Sequence, residues 1–130
     1  MTWIEDIGAY LQTNNIGTLG SSIFYNGFEA SASNCIALFE QAGTQEDITA
    51  TGDETIRYPE LGVRVRNTSL SAAREKAYSI YSLLHNISNS QIGNTFFISI
   101  EAVADPFYVS QSKTDLFIFS INFSMEIQGT

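Results

Sequence analysis

The stretch that decides the fold lies near the C-terminus, where residues 116–128 read LFIFSINFSMEIQ. Large apolar residues recur at every second position of this stretch, which is the period of a β-strand that rests one face on an apolar core. The stripe predicted to face the core comprises Phe117, Phe119, Ile121, Phe123, Met125 and Ile127. We therefore predict one long strand and look for elements that cover its apolar face.

A partner strand precedes it in the chain. Phe96–Glu101 alternates from Phe97 onward, and the turn residues Asp105 and Pro106 follow. The two alternating segments predict a long hairpin whose connection reaches Asp115. The polar segment His85–Asn94 is interpreted as the end of the preceding helix and a loop.

The N-terminal segment is predicted to be a helix over Thr2–Asn14. Thr2 and Glu5 have the spacing of a capping box, in which each side chain satisfies a backbone N–H of the first turn. Trp3 begins the apolar face, through which we expect this helix to pack.

A second helix is predicted over Leu70–Leu84, with Ser69 or Ser71 as its N-cap. Its apolar residues recur at helical spacing and form one stripe, namely Leu70, Ala73, Ala77, Ile80, Tyr81 and Leu84. We expect this stripe to lie on the apolar face of the long strand.

Three shorter strands complete the predicted sheet, over Ile23–Tyr25, Cys35–Phe39 and Gly62–Asn67. Cys35–Phe39 is apolar at almost every position, as in a strand buried on both faces. The prediction is a single α+β domain over residues 1–130, with a mixed or antiparallel sheet of about five strands and two helices on one face.

Composition excludes several classes of function. The chain has 130 residues, of which 44% are hydrophobic and only 15% charged, with a net charge of −8. Proteins that bind nucleic acid through its phosphates need a basic surface, which this balance does not supply. One cysteine and one histidine give neither a disulfide framework nor a metal site. No apolar run is long enough to span a bilayer. We expect no metal and no cofactor.

Two side chains are candidates for catalysis, and for both a structural role is favoured. His85 stands at the end of the second helix, where the helix dipole favours a cation. Cys35 stands within an apolar strand, where a thiol packs as a small apolar group. No catalytic residues are assigned, and the enzyme hypothesis would need Cys35 or His85 to line a pocket.

The candidate interface is made of charges. The polar segment Thr44–Thr55 is predicted to be a mobile loop, since its composition buries little apolar area. Its candidate contact residues are Gln45, Glu46, Asp47, Asp53 and Glu54. Alternation places Arg64 and Arg66 together on the outer face of their strand. These arginines are predicted to meet the acidic loop of a neighbouring subunit, or DNA.

Three stretches together resemble the tail terminator and minor capsid (neck) proteins of long-tailed bacteriophages. The first is residues 7–20, IGAYLQTNNIGTLG, and the last is residues 119–123, FSINF. Between them, residues 58–66 (YPELGVRVR) lead into residues 72–77 (AAREKA) and 80–85 (IYSLLH). The resemblance covers nearly the whole chain, and the order of the pieces carries it. A glycine-containing turn of the family is absent between Phe107 and Asp115.

The resemblance implies a structural virion protein and no enzyme. It implies a homohexameric ring on the tail-tube protein that ends tube growth and offers a surface to the head-completion or connector protein. DNA would pass through the ring without specific binding, and no membrane is involved. The protein would assemble in the host cytoplasm and reside at the tail–neck junction of the virion. The alternatives are a head-completion or connector protein of the same neck, or a small non-viral ligand-binding α+β domain.

Overall fold

The computed structural model describes residues 2–28, 33–48, 55–111 and 116–129. Two helices and seven strands follow one another in these residues. Their bounds are α1 Trp3–Thr13, β1 Ile23–Tyr25, β2 Cys35–Ile48, β3 Thr55–Asn67, α2 Leu70–Leu84, β4 Ile87–Ile92, β5 Thr95–Ala102, β6 Phe107–Gln111 and β7 Phe117–Gly129. None of the described helices is long and apolar enough to cross a membrane.

The strands form a mixed sheet in the order β1-β2-β3-β7-β5-β4, with β6 also paired to β7. β1 and β2 are parallel, and the other pairings are antiparallel. β7 takes β3 along one edge, while β5 and β6 share its other edge. The predicted α+β class is confirmed, and the sheet has seven strands where about five were expected.

Both helices pack on one face of this sheet. The stripe of β7 is buried from Phe119 to Ile127, and it shares a single core with Val63 and Val65 of β3. Ala73, Ala77, Ile80 and Leu84 of α2 enter the same core, as do Trp3, Ile4, Ile7 and Leu11 of α1. The predicted direction of the β7 stripe and its contact with α2 are therefore confirmed.

The start of α1 has the predicted capping box. The backbone N–H and the hydroxyl of Thr2 both donate to Glu5 Oε1, at 2.9 Å each. These two bonds hold the pKa of Glu5 below its usual value. Tyr25 of β1 donates to the carbonyl oxygen of Glu5 at 3.4 Å, and burial of its ring raises the Tyr25 pKa.

A buried carboxylate ties α1 to the turn between β4 and β5. Asp6 is 1% exposed, and its Oδ2 accepts from Thr95 Oγ1 at 2.7 Å and from the backbone N–H of Asn94 at 3.2 Å. Gly93 completes the turn with a φ of +60°, and a β-carbon there would collide with Asp6 Oδ1. Glycine is required at this position by both the backbone angle and the close approach.

β2 and β3 are longer than predicted. The sequence predicts a strand only over Gly62–Asn67, yet β3 begins at Thr55 and contains Pro59. Pro59 lies where the register shifts on β2, between the pairs Gln41↔Glu60 and Thr44↔Tyr58, and a bulge tolerates a residue without an N–H. Residues 44–48 and Thr55 of the predicted loop are therefore strand, and residues 49–54 lie outside the described residues.

Two strands were missed. Residues of the expected loop after α2 form β4, which is polar because it is the outermost strand beside β5. β6 lies inside the expected connection between β5 and β7, and it pairs from Phe107↔Ser120 to Gln111↔Phe117. Both are short or polar strands that pair along one edge among the described residues, so neither shows the alternation of a half-buried strand.

The packing of β7 predicts a large effect of truncation at Phe123, which is fully buried. Phe123→Ala should lower the free energy of unfolding by ~3–5 kcal/mol and the melting temperature by roughly ten degrees or more. The matched control is Phe107→Ala, since that ring is 46% exposed and its removal should shift the melting temperature little. Equal shifts in thermal denaturation would contradict the assigned core.

The capping box predicts a pH-dependent contribution of Glu5 to stability. Because the folded pKa is lowered, the stabilisation is present above the ordinary value of 4.5 and is lost as the pH falls through the folded pKa. Glu5→Ala should therefore melt below the wild type at pH 7, and the difference should shrink under acidic conditions. A difference that stays constant down to pH values of about 2 would show that the Glu5 charge contributes nothing.

Candidate assembly interface

The predicted arginine pair lies on the sheet face opposite the helices. Arg64 stands between Ala37 of β2 and Ser120 of β7, and Arg66 stands two pairs further along β3, between Cys35 and Ile118. The Arg64 guanidinium lies 5.3 Å from the centre of the Phe39 ring, and that of Arg66 lies 4.5 Å from the centre of Phe28. Arg64 is exposed and Arg66 is half-buried, so Arg64 is the more available of the two.

The acidic residues of the candidate interface are only partly placed. Gln45, Glu46 and Asp47 belong to the distal half of β2, where Asp47 pairs with Ile56 of β3. Asp53 and Glu54 lie outside the described residues. The structure thus puts Gln45, Glu46 and Asp47 on a strand, and the meeting of the acidic residues with an arginine of another subunit stays a prediction.

The distal half of β2 has an open edge. β1 is only three residues long and pairs with Ile36, Ala37 and Leu38. From Phe39 to Ile48 the outer edge of β2 has no ladder partner in the part of the chain that the structure describes. Glu40 is exposed on this half, and its pairing with Leu61 places it on the helix side of the sheet.

A second surface was missed by the sequence analysis, and we call it the α2–β6 strip. It contains Arg74 and five of the seven large apolar side chains that are exposed among the described residues. These five are Leu70 and Tyr78 of α2 and Val103, Tyr108 and Val109 in and before β6. Exposed Phe107 pairs with Ser120 and therefore lies on the opposite face of the sheet, the face of Arg64. The available signal was the apolar run after Pro106, which had been interpreted as a connection.

Aromatic contacts join the two halves of this strip. Phe119 of β7 lies between them, with the Arg74 guanidinium 5.5 Å from the centre of its ring and the Tyr108 ring edge-on at 5.8 Å. The first contact is a cation–π interaction and the second a T-shaped pair of rings, and the negative face of an aromatic ring favours both. The strip is therefore continuous across α2, β7 and β6.

His85 lies at one end of the strip and has a structural role. Its Nδ1 accepts a hydrogen bond from the backbone N–H of Ala102 at 3.0 Å, and its ring stacks on Tyr81 with centres 4.9 Å apart. Tyr81 in turn contacts Tyr78 at 6.2 Å. His85 thus fixes the end of α2 against the end of β5.

Cys35 lines a cavity of about 210 Å³ between α2, the beginning of β2 and the end of β3. Lys76 and Arg66 also line it, and the Lys76 ammonium donates to the carbonyl oxygen of Ile16 at 2.9 Å. Cys35 thus meets the condition set for the enzyme hypothesis, since it lines a cavity. Its thiol is buried, however, and His85 stands at the C-terminal end of α2, so the two catalytic candidates are not brought together. No cluster of three metal-ligating side chains occurs among the described residues.

These features define a small α+β protein with exposed apolar side chains along α2 and β6, as in a subunit of an assembly. Residues 10–128 match the family model described as bacteriophage tail terminator protein. The chain belongs to this family, and it is a structural protein of the virion located at the tail end. The family is one of structural virion proteins and not an enzyme family. Membership in it favours a phage tail protein over the alternative of a small non-viral ligand-binding domain.

A solved structure shows the same fold. It is titled "Virion of native gene transfer agent (GTA) particle", and it superposes with a TM-score of 0.60 at 12% sequence identity. The superposition covers 96% of this chain and 90% of the other chain. No curated protein sequence matches the chain.

The burial of Cys35 predicts slow reaction of its thiol, which is 4% exposed. Ellman's reagent should label the native protein far more slowly than the protein in denaturant, because thiolate reactivity requires access. The matched control is Val109→Cys in a Cys35→Ala background, since residue 109 is 41% exposed and should react at once. Rapid labelling of native Cys35 would reopen the hypothesis of a reactive site.

Proposed function

We propose that this protein closes the end of the phage tail tube as a homohexameric ring, stops tube growth and presents the surface to which the head attaches. The family match over residues 10–128 carries this proposal. Its partners in the proposal are further copies of itself, the tail-tube protein and the head-completion or connector protein. The similar fold in a gene transfer agent virion supports a role in a particle.

The charge of the chain supports passage of DNA through the ring. With 14 acidic and 6 basic residues, a ring of this chain carries a strongly negative charge. A negative channel wall repels phosphates, so DNA would slide through it and make no specific contacts. DNA is therefore cargo that passes through the ring, and the ring does not bind it as a ligand.

Electron microscopy tests the capping function directly. Purified protein added to growing tail tubes should produce a closed terminal ring and tubes of limited length. Tubes that keep growing past the added protein would refute the capping role. Binding to the connector with no binding to tubes would instead assign the protein to the head side of the neck.

Arg64 tests the proposed electrostatic contact between subunits. It is exposed on the outer face of β3, whereas Arg66 is half-buried beside Phe28, so Arg64→Glu is the cleaner change. We expect a folded subunit with weaker ring formation, most evident at low salt, where the new like charges are least screened. An exposed pair contributes only ~0.2–1 kcal/mol, but a ring repeats it at every interface.

The control for this variant is Arg64→Gln, which removes the charge without reversing it. Ring formation on tubes by electron microscopy and melting temperature are measured for both variants. Normal rings that fail only after DNA packaging would move Arg64 from the subunit contact to the channel wall. Unfolding of both variants would show instead that Arg64 is needed for the sheet.

A further inference from the structure

The α2–β6 strip has the composition of the centre of a protein–protein interface. Val103 is 63% exposed, Tyr108 48% and Val109 41%, although the core of the same domain is tightly buried. Tyrosine, phenylalanine and arginine are enriched in interface centres, and contiguous exposed apolar patches are uncommon on monomers. A surface of this kind is expected to be covered when the protein performs its function.

The backbone of β6 indicates how it is covered. Among the described residues β6 pairs with β7 alone, so its outer edge carries a row of N–H and C=O groups without ladder partners. An exposed strand edge with apolar side chains readily accepts a further strand. The fitting ligand is thus an extended segment that pairs with β6 and covers Tyr108 and Val109.

The chain itself carries such a segment on the other side of the sheet. The distal half of β2, from Phe39 to Ile48, has an open outer edge, and two strands, β3 and β7, separate β2 from β6. Its exposed Glu40 lies on the helix side of the sheet, the side on which Arg74 lies above Phe119. The outer edges of β2 and β6 both offer backbone N–H and C=O groups for pairing. Glu40 and Arg74 lie on the same side of the sheet and carry opposite charges, so they can form an ion pair across the contact.

We propose that the distal half of β2 of one subunit adds to β6 of the next and covers the α2–β6 strip, with Glu40 of the partner subunit beside Arg74. This inference rests on the proposed ring and names the contact that builds it. The contact is heterologous, so it leaves one edge of each subunit open to the following copy and repeats around a ring. A tail-tube strand on β6 would leave the β2 edge of every subunit uncovered, which is why a second copy is the favoured occupant.

Charge exchange tests the predicted pair. Arg74→Glu and Glu40→Arg should each weaken subunit association about tenfold in sedimentation velocity at low salt, and the double variant should return to within about threefold of the wild type. The matched control is Glu75→Arg, which makes the same charge change as Glu40→Arg at an exposed neighbour on α2. Equal weakening by the control, or no recovery in the double variant, would overturn the pair.

Cysteine capture tests the strand addition without relying on affinity. In a Cys35→Ala background, Glu40→Cys and Val109→Cys are made on separate chains. A mixture of the two, treated with a short bismaleimide at high protein concentration, should give cross-linked heterodimers, and each chain alone should stay monomeric. Cross-linking of Val109→Cys to itself would indicate a two-fold contact, and an uncross-linked mixture would exclude the strand addition.

Tail tubes separate failure of this contact from failure of the proposed function. Tyr108→Ser should reduce the affinity of ring formation on tubes about 30-fold while the subunit stays folded. If Tyr108→Ser and Arg74→Glu form rings as tightly as the wild type, the strip is not the subunit contact and the capping function stands. If the wild type forms no ring, the proposed function itself fails.

Discussion

The central position of β7 is the constraint on which the rest of the structure depends. β7 pairs with three strands. β3 pairs along one of its edges, while β5 and β6 pair with different halves of its other edge. α2 packs against the apolar stripe of β7 from Phe119 to Ile127. A shift of register by one residue would turn this stripe to the opposite face, so burial of the stripe determines the register of three neighbouring strands at once.

The division of β7 between two partners has a consequence for assembly. β5 pairs with the second half of β7 and β6 with its first half. Neither β4 nor β5 therefore pairs with the outer edge of β6. The short β1 similarly covers only the beginning of β2. Open strand edges on opposite sides of the sheet, as the described residues show at β2 and β6, are suited to contacts that continue from one copy to the next.

Hydrogen bonds of Asp6 and His85 hold the two helices in position on the sheet. Asp6 fixes α1 to the β4–β5 turn through Thr95, and His85 fixes the end of α2 to Ala102. Each bond joins a helix to one end of β5, and Asp6 and Thr95 are buried, where a hydrogen-bonding group left without a partner is costly. The α2 side of the strip is thereby held at a defined distance from β6, which a surface for strand addition requires.

The sequence by itself determined both helices, the core stripe of β7 and the α+β class, because each depends on local spacing of apolar residues. It also supported the family through the order of three short stretches. It did not reveal β4 or β6, whose pairing along a single edge, among the described residues, leaves no alternation to read. It also ended β2 too early and began β3 too late, since a bulge between the two strands accommodates Pro59. Only the tertiary structure decided that Tyr108 and Arg74 join in one surface around Phe119, since residues distant in sequence meet there through the pairing of β6 with β7.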